Sequence, residues 1–149
     1  MIREENSIRY ETDPAGWDIL YDESDVCLLA CGEMVDPALE ARDMMKWNGA
    51  NCSLIDCGSG SFLDGEVLRA AAAEHVLLVT LQEHEETGGF GESVLSFLNG
   101  EGLNVEVEQI VLPDEYAQAD PGSFCREEAG LDAENIFRRI QTRMIGLII

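Results

Sequence analysis

Residues 76–100, VLLVTLQEHEETGGFGESVLSFLNG, limit what this chain can fold into more than any other stretch. The run 76–80 is uncharged and rich in β-branched residues, which suits a strand covered on both faces. An acidic turn follows, then Gly88-Gly89-Phe90-Gly91, then Val94, Leu95 and Leu98 at the spacing of a helical core face. Asn99-Gly100 reads as the helix stop, because both residues tolerate the left-handed conformation that a helix C-terminus needs. Strand, glycine turn and helix make half of an α/β unit. Gly88, Gly89 and Gly91 have two readings. Amides at a helix N-terminus cradle an anion; alternatively, glycines let loop backbone pack closely against its neighbours. Glu83, Glu85 and Glu86 stand beside the turn and would repel an anion, and a lone glycine cluster is a weak motif, so the packing reading is favoured.

A 149-residue chain that is 46% hydrophobic makes one globular domain with a sizeable core. Nine Lys and Arg against 30 Asp and Glu give a net charge of −21, which opposes encounter with nucleic acid or an anionic membrane surface. Solubility is the simpler reading of the acidity. No apolar run reaches the 18 or so residues of a membrane span, and MIREENSIRYE lacks the apolar core of a signal peptide. The expected location is cytoplasmic.

Five cysteines, at 27, 31, 52, 57 and 125, are too scattered, and odd in number, for a disulfide framework. Cys27 and Cys31 stand four apart in an expected strand, share a face, and read as small apolar residues. Zinc would need closer ligand spacing and nearby histidines, and only His75 and His84 exist, so no metal site is expected.

Taken in order, residues 1–16 are a polar lead-in and 17–149 the domain. A short edge strand is expected at 17–21 and a central strand at 26–31. Asp36 is the expected N-cap of a helix with Pro37 at its first position, ending near Trp47 at Asn48-Gly49. A second central strand covers 51–57. Ser61-x-x-Asp64 resembles a capping box before Val67, Leu68, Ala71 and Ala72. His75 closes that helix, a structural role favoured over catalysis because no partner lies next to it in sequence. The last strand, 105–112, alternates valine and glutamate as an edge strand does. Residues 114–120 are irregular, Ser123 caps a single turn, and Leu131-Asp132 opens a final helix with Ile136, Ile140 and Met144 as its stripe. The tail 145–149 is too short to span a bilayer; local packing, docking on a partner and truncation of a longer chain all remain open. No internal repeat or linker divides the sequence.

Four phrases, VCLLACGEMVDPALEA (26–41), HVLLVTLQEHEETGGFGESVLSFLNGEGL (75–103), LPDEY (112–116) and GLDAENIFRRI (130–140), carry a family resemblance. Over about five-sixths of its length the chain resembles the C-terminal domain of the transketolase family, most closely in the form found in 1-deoxy-D-xylulose 5-phosphate synthase. The resemblance implies a three-layer α/β/α domain with a five-stranded, mostly parallel (mixed) sheet, whose first strand is the edge segment 17–21. It also implies that thiamin diphosphate and magnesium are held between two other domains, one of which carries the activating glutamate; neither is within these residues. The family is one of transferases, and the synthase serves isoprenoid precursor biosynthesis. Its C-terminal domain contributes to dimer assembly and lends a basic residue to the substrate phosphate.

Departures from that pattern matter equally. Where the synthase reads Asp-x-Arg-x-x-Lys-Pro-Leu-Asp, this chain reads Asp56-Cys57-Gly58-Ser59-Gly60-Ser61-Phe62-Leu63-Asp64. Gly58 occupies the position of the phosphate arginine, Ser61 that of the lysine, and Phe62 that of the proline. Arg69 is the only basic residue between Lys46 and Arg126. A phosphate dianion needs charge-assisted donors, preferably a guanidinium fork, so Gly58 and Ser61 form a degenerate substrate edge. Glu85-Glu86-Thr87 replaces a mostly apolar triplet, and two carboxylates suit an exposed turn better than a buried dimer contact. Glu83, His84, Gly88, Gly89 and Gly91 are the loop and interface candidates.

The expected function is that of a structural and assembly domain of a transketolase-type enzyme. The chain is expected to bind no cofactor and have no catalytic residue of its own, and to partner the enzyme's other domains or subunits or itself. The alternative is a free-standing acidic binding or regulatory module that reuses the fold. A complete split-enzyme subunit ranks last, because the cofactor-binding domain is missing.

Overall fold

Alternate residues of three apolar strands face opposite ways, and both sets are buried. The computed structural model describes residues 16–82, 89–111 and 133–148. In β2 (Asp25–Ala30), Val26, Leu28 and Ala30 face one layer of helices while Cys27 and Leu29 face the other. In β3 (Cys52–Asp56), Cys52 and Leu54 oppose Ile55; in β4 (His75–Gln82), Leu77, Val79 and Leu81 oppose Leu78. Strands covered on both faces require helices above and below the sheet.

Those helices are α1 (Val35–Trp47), α2 (Gly65–Glu74), α3 (Phe90–Glu101) and α4 (Ala133–Ile148). With the edge strands β1 (Asp18–Tyr21) and β5 (Glu106–Val111), the sheet runs β1-β3-β2-β4-β5. All pairs are parallel except β1 with β3, so the expected mixed α/β sheet with a first-strand edge is present. The chain steps from β2 to β3 in one direction, then back past β2 to β4 and on to β5. A single crossover hand puts α1 on one face and α2 and α3 on the other, as the two cores show. Met34, Ala38, Ala41 and Met45 join Ile136 and Ile140 of α4 on the first face; Val67, Leu68, Ala71, Phe90, Val94 and Leu98 fill the second.

Several helix boundaries differ from the sequence reading. A 3-10 turn over Gly32–Met34 runs straight into α1, so the helix begins at Val35 rather than after an Asp36 cap. Burial of Met34 starts the winding early, and Pro37 then falls in the first turn, whose N–H groups have no helical partner. Ser61 is not part of a cap. Asp64 Oδ1 accepts from Val67 N itself at 3.3 Å, and its Oδ2 accepts from Trp17 N at 3.1 Å. The helix α3 runs through Asn99 and Gly100 and stops at Gly102, φ 71°. There Leu103 N donates to Leu98 O at 2.9 Å while Leu103 packs on the core. Residues 145–148 continue α4, leaving Ile145 57% exposed. The expected features at 83–88, 114–120, Ser123 and Leu131-Asp132 lie outside the described residues.

At the N-terminal ends of the central strands a polar knot ties β3, β4 and α1 to the turn after β1. Arg42, 4% exposed, donates from Nε to Cys52 O at 3.0 Å and from Nη2 to Glu23 Oε2 at 2.7 Å, and stacks 3.6 Å from the Tyr21 ring centroid. Lys46 Nζ reaches the same carboxylate at 3.1 Å. Glu23 N donates to Ser53 Oγ, which donates back to Glu23 O. His75 meets Ser53 Oγ through Nε2 at 2.8 Å and donates from Nδ1 to Ala71 O at 2.8 Å. It therefore closes α2, as expected, but as a buried residue that also opens β4.

Burial, the largest single influence on Glu23, pushes its pKa up, but the Lys46 hydrogen bond, the Arg42 charge and the Cys52 amide together hold it below the ordinary 4.5. A depressed folded pKa gives stability that is present above the unfolded value and lost as pH falls through the folded one. Glu23→Gln is expected to cost about 3 kcal/mol at pH 7, because it removes the closer counter-charge of a buried guanidinium and leaves only the exposed Asp43 at 3.3 Å. Urea unfolding of both proteins at neutral and acid pH should show the difference closing below the folded Glu23 pKa. A constant difference would mean that Glu23 acts through shape rather than charge.

Candidate functional site

In an open α/β sheet, ligands bind beyond the carboxyl ends of the strands, where the strand order reverses. Here that point lies between β2 and β4, beside the loop that follows β3. Cys31 N donates to Leu81 O (3.0 Å), Cys57 N to Ala30 O (2.8 Å) and Gly32 N to Gly58 O (2.7 Å), so the three strand ends are stitched together beyond the ladder.

The loop from Cys57 to Asp64 turns its polar groups on itself. Gly58 N donates to Asp56 Oδ1 at 2.9 Å, Gly60 N to Cys57 O at 3.2 Å and Ser61 N to Ser59 Oγ at 3.3 Å. The hydroxyls of Ser59 and Ser61 share a 2.8 Å bond. Phe62 O accepts from Trp17 Nε1 at 3.0 Å, and the Trp17 ring meets Phe90 edge-on at 5.8 Å. Both sequence-selected residues of this edge, Gly58 and Ser61, are exposed, yet their amides are occupied.

Glycine-rich backbone at α3 behaves similarly. Gly91 N donates to Gln82 Oε1 at 2.8 Å. A Cβ on Gly91 would collide with Gln109 Oε1 and lie 3.1 Å from Thr80 Oγ1, so close packing explains this glycine. Gly89, half-buried, has an ordinary extended backbone (φ −68°, ψ −178°). Glu83, His84 and Gly88 lie outside the described residues, so the structure does not place them against Gly58 and Ser61. Thr80 Oγ1 is buried without a hydrogen-bond partner.

Cysteine chemistry at this edge is suppressed. Burial, aided by Asp56, pushes the Cys31 thiol up to about 12. Burial also raises Cys57 well above its ordinary value, with Cys31, Cys27 and the carboxylates of Asp56 and Asp64 adding to it. A thiol so far from ionising is no nucleophile at neutral pH. Among the described residues, the amides and hydroxyls of the loop after β3 are paired without a basic side chain. Every described Lys and Arg is in an ion pair: Arg42 and Lys46 with Glu23, Arg69 with Glu101, Arg138 with Glu134, Arg139 with Glu108, and Arg143 with Glu106 and Glu108. The sequence reading missed the Trp17–Asp64 latch and the Glu23–Arg42 knot. An isolated tryptophan after a polar lead-in and an arginine on the apolar side of a helix were the available signals.

The three-layer sheet with an antiparallel first edge and a closed C-terminal rim defines a transketolase C-terminal-like domain. The family model described as transketolase, C-terminal domain, matches residues 15–136, and the chain belongs to that family. It is 37% identical over 121 residues to the 1-deoxy-D-xylulose-5-phosphate synthase of Heliobacterium modesticaldum, covering 81% of this chain and 19% of the relative. It is 35% identical over 120 residues to the synthase of Shouchella clausii, covering 80% and 19%. The chain thus spans about a fifth of the length of these relatives. Among solved structures, a split gene transketolase described as an inactive β4 tetramer superposes with a TM-score of 0.77 at 29% identity, covering 91% of this chain and 43% of that one.

Two rim glycines separate backbone strain from collision. A Cβ added at Gly58 (φ 65°) would meet open space, whereas at Gly60 (φ 84°) it would lie 2.9 Å from Cys31 Sγ. Gly58→Ala is expected to cost about 1 kcal/mol through its left-handed backbone alone. Gly60→Ala should cost about 1–3 kcal/mol more through overpacking. Chemical denaturation of both variants checks the order; equal losses would mean that the Cys31 contact relaxes freely.

Proposed function

We propose that this chain serves as the C-terminal structural and assembly domain of a transketolase-type enzyme of the 1-deoxy-D-xylulose-5-phosphate synthase kind, and is not catalytic by itself. Residues 17–149 form the working domain and 1–16 its lead-in. The observation that carries the reading is the rim at Gly58–Ser61. Where the synthase pattern has a phosphate-binding arginine, this loop engages its own amides and hydroxyls internally. Arg69 lines the same cleft as Phe62 and Asp64 at the far end of the loop, but its guanidinium is held by Glu101 at 2.9 Å.

Thiamin diphosphate with magnesium needs a diphosphate cradle and hard oxygen ligands. Among the described residues no group of three or more His, Cys, Asp or Glu is arranged to hold a metal ion. The rim amides of Gly32, Gly58, Gly60, Ser61 and Gly91 all donate within the chain. These residues do not fit the cofactor, and the proposal places its chemistry in other domains or subunits. The low share of each relative that the chain covers supports such partners. So does the solved split gene transketolase, whose β chains are described as an inactive tetramer.

The test is sulfate and glyceraldehyde 3-phosphate binding by calorimetry, at low and moderate salt. The natural chain should show no saturable binding. Gly58→Arg should strengthen binding by about ten- to a hundredfold, as expected for a charge-assisted contact of roughly 1.5–3 kcal/mol. It should also lose about 1–2 kcal/mol of stability to its left-handed backbone. Tight binding by the natural chain, without gain from Gly58→Arg, would show that the rim holds phosphate in another way and sink the proposal.

A further inference from the structure

Among the described residues β5 ends the sheet, and an outermost strand offers a row of free amides and carbonyls on which another strand can grow. In a parallel strand the amide and carbonyl of one residue point to the same side, and those of the next residue to the other. Arg139 Nη2 lies 3.1 Å from Gln109 O, and Arg143 Nη1 lies 3.4 Å from Val107 O. These carbonyls are two residues apart and point the same way. The side shared with β4 is filled by a strand about 4.8 Å away, so no guanidinium can enter there. The carbonyls of Val107 and Gln109 therefore face outward, and the guanidinium groups of Arg139 and Arg143 from α4 lie over them.

Both arginines are held over the edge by glutamates of β5 itself. Glu108 takes Arg139 at 2.7 Å and Arg143 at 2.5 Å, while Glu106 takes the other arm of Arg143 at 2.6 Å. Ion pairs alone would fix α4 to β5 and, being partly exposed, would contribute little. They do not require a guanidinium nitrogen on two alternate carbonyls of the edge.

We infer that Arg139 and Arg143 guard the β5 edge, preventing a second copy of this chain from extending the sheet through β5. The glutamates at 106 and 108 aim the guard, and the guanidinium forks occupy the acceptors that an added strand would use. Association of this domain with copies of itself or with other domains then proceeds through other surfaces. This inference rests on the edge geometry and stands apart from the reading of the Gly58–Ser61 rim.

The experiment is sedimentation velocity over about a hundredfold range of concentration, comparing the natural chain with Arg139→Ala/Arg143→Ala. The doubly substituted protein should form larger species that grow with concentration while keeping its helical circular dichroism. Adding Val107→Pro should restore the natural size distribution, because proline removes an outward N–H without touching the β4 ladder. Thr142→Ala, which alters the same groove without uncovering a carbonyl, should leave the distribution unchanged. A folded double variant with the natural size distribution would overturn the inference, as would association that survives Val107→Pro. If the double variant loses cooperative unfolding, Arg143→Ala alone decides by the same criteria, since it uncovers only Val107 O.

Discussion

Two-sided burial of β2 is the constraint from which the rest of the architecture follows. Val26, Cys27, Leu28, Leu29 and Ala30 are each fully buried, and removing one leucine side chain from water contributes about 1.5–3 kcal/mol. A strand buried on both faces cannot stop at one layer of helices, so the chain must lay α1 and α4 on one side and α2 and α3 on the other. Because β2, β3 and β4 run parallel, the loops that follow them lie at a common rim. The location of the candidate site is thus a by-product of how the core is covered.

Charge is distributed around this core with little freedom. With 30 acidic residues against nine basic ones, each described cation is already paired with a glutamate, two at the foot of the sheet, two along its β5 edge, one between α2 and α3 and one within α4. The pairings differ in character. Arg42 is buried, and its loss takes a donor from the Cys52 carbonyl and leaves Glu23 with Lys46 and the Cys52 amide, whereas Arg138 and Glu134 are an exposed pair four residues apart on one helix. Cations committed in this way are unavailable to an external phosphate, and the surplus carboxylates repel it at long range.

The loop after β3 is held at both ends and closed on itself between them. Trp17, Asp64 and Phe62 pin the far end of the loop, and Gly32 and Cys57 pin the near end. Between them, Asp56 and Ser59 satisfy amides that an anion would otherwise attract. The result is a self-contained turn rather than an open cradle.

Much of the fold was legible in the sequence. Uncharged strand runs, the Asn48-Gly49 stop and the alternation of Val105–Glu108 report burial and backbone freedom locally, and these are properties each residue type carries with it. The lack of any Lys or Arg between Lys46 and Arg69 was equally plain, since a basic side chain is either present or absent. Helix ends were less legible: Met34, Asp64 and Leu103 set them through contacts with residues distant in the sequence or with the core beyond their own turn. The closure of the rim, the Glu23–Arg42–Ser53–His75 knot and the arginine cover of β5 were decided by tertiary structure alone. The knot and the arginine cover join groups far apart in the chain, such as Arg143 and Glu106, 37 residues apart, and the rim adds long-range bonds such as Trp17 N to Asp64 to its local ones. Sequence determined which segments must be buried and which charges exist; only the folded sheet determined which of those charges meet.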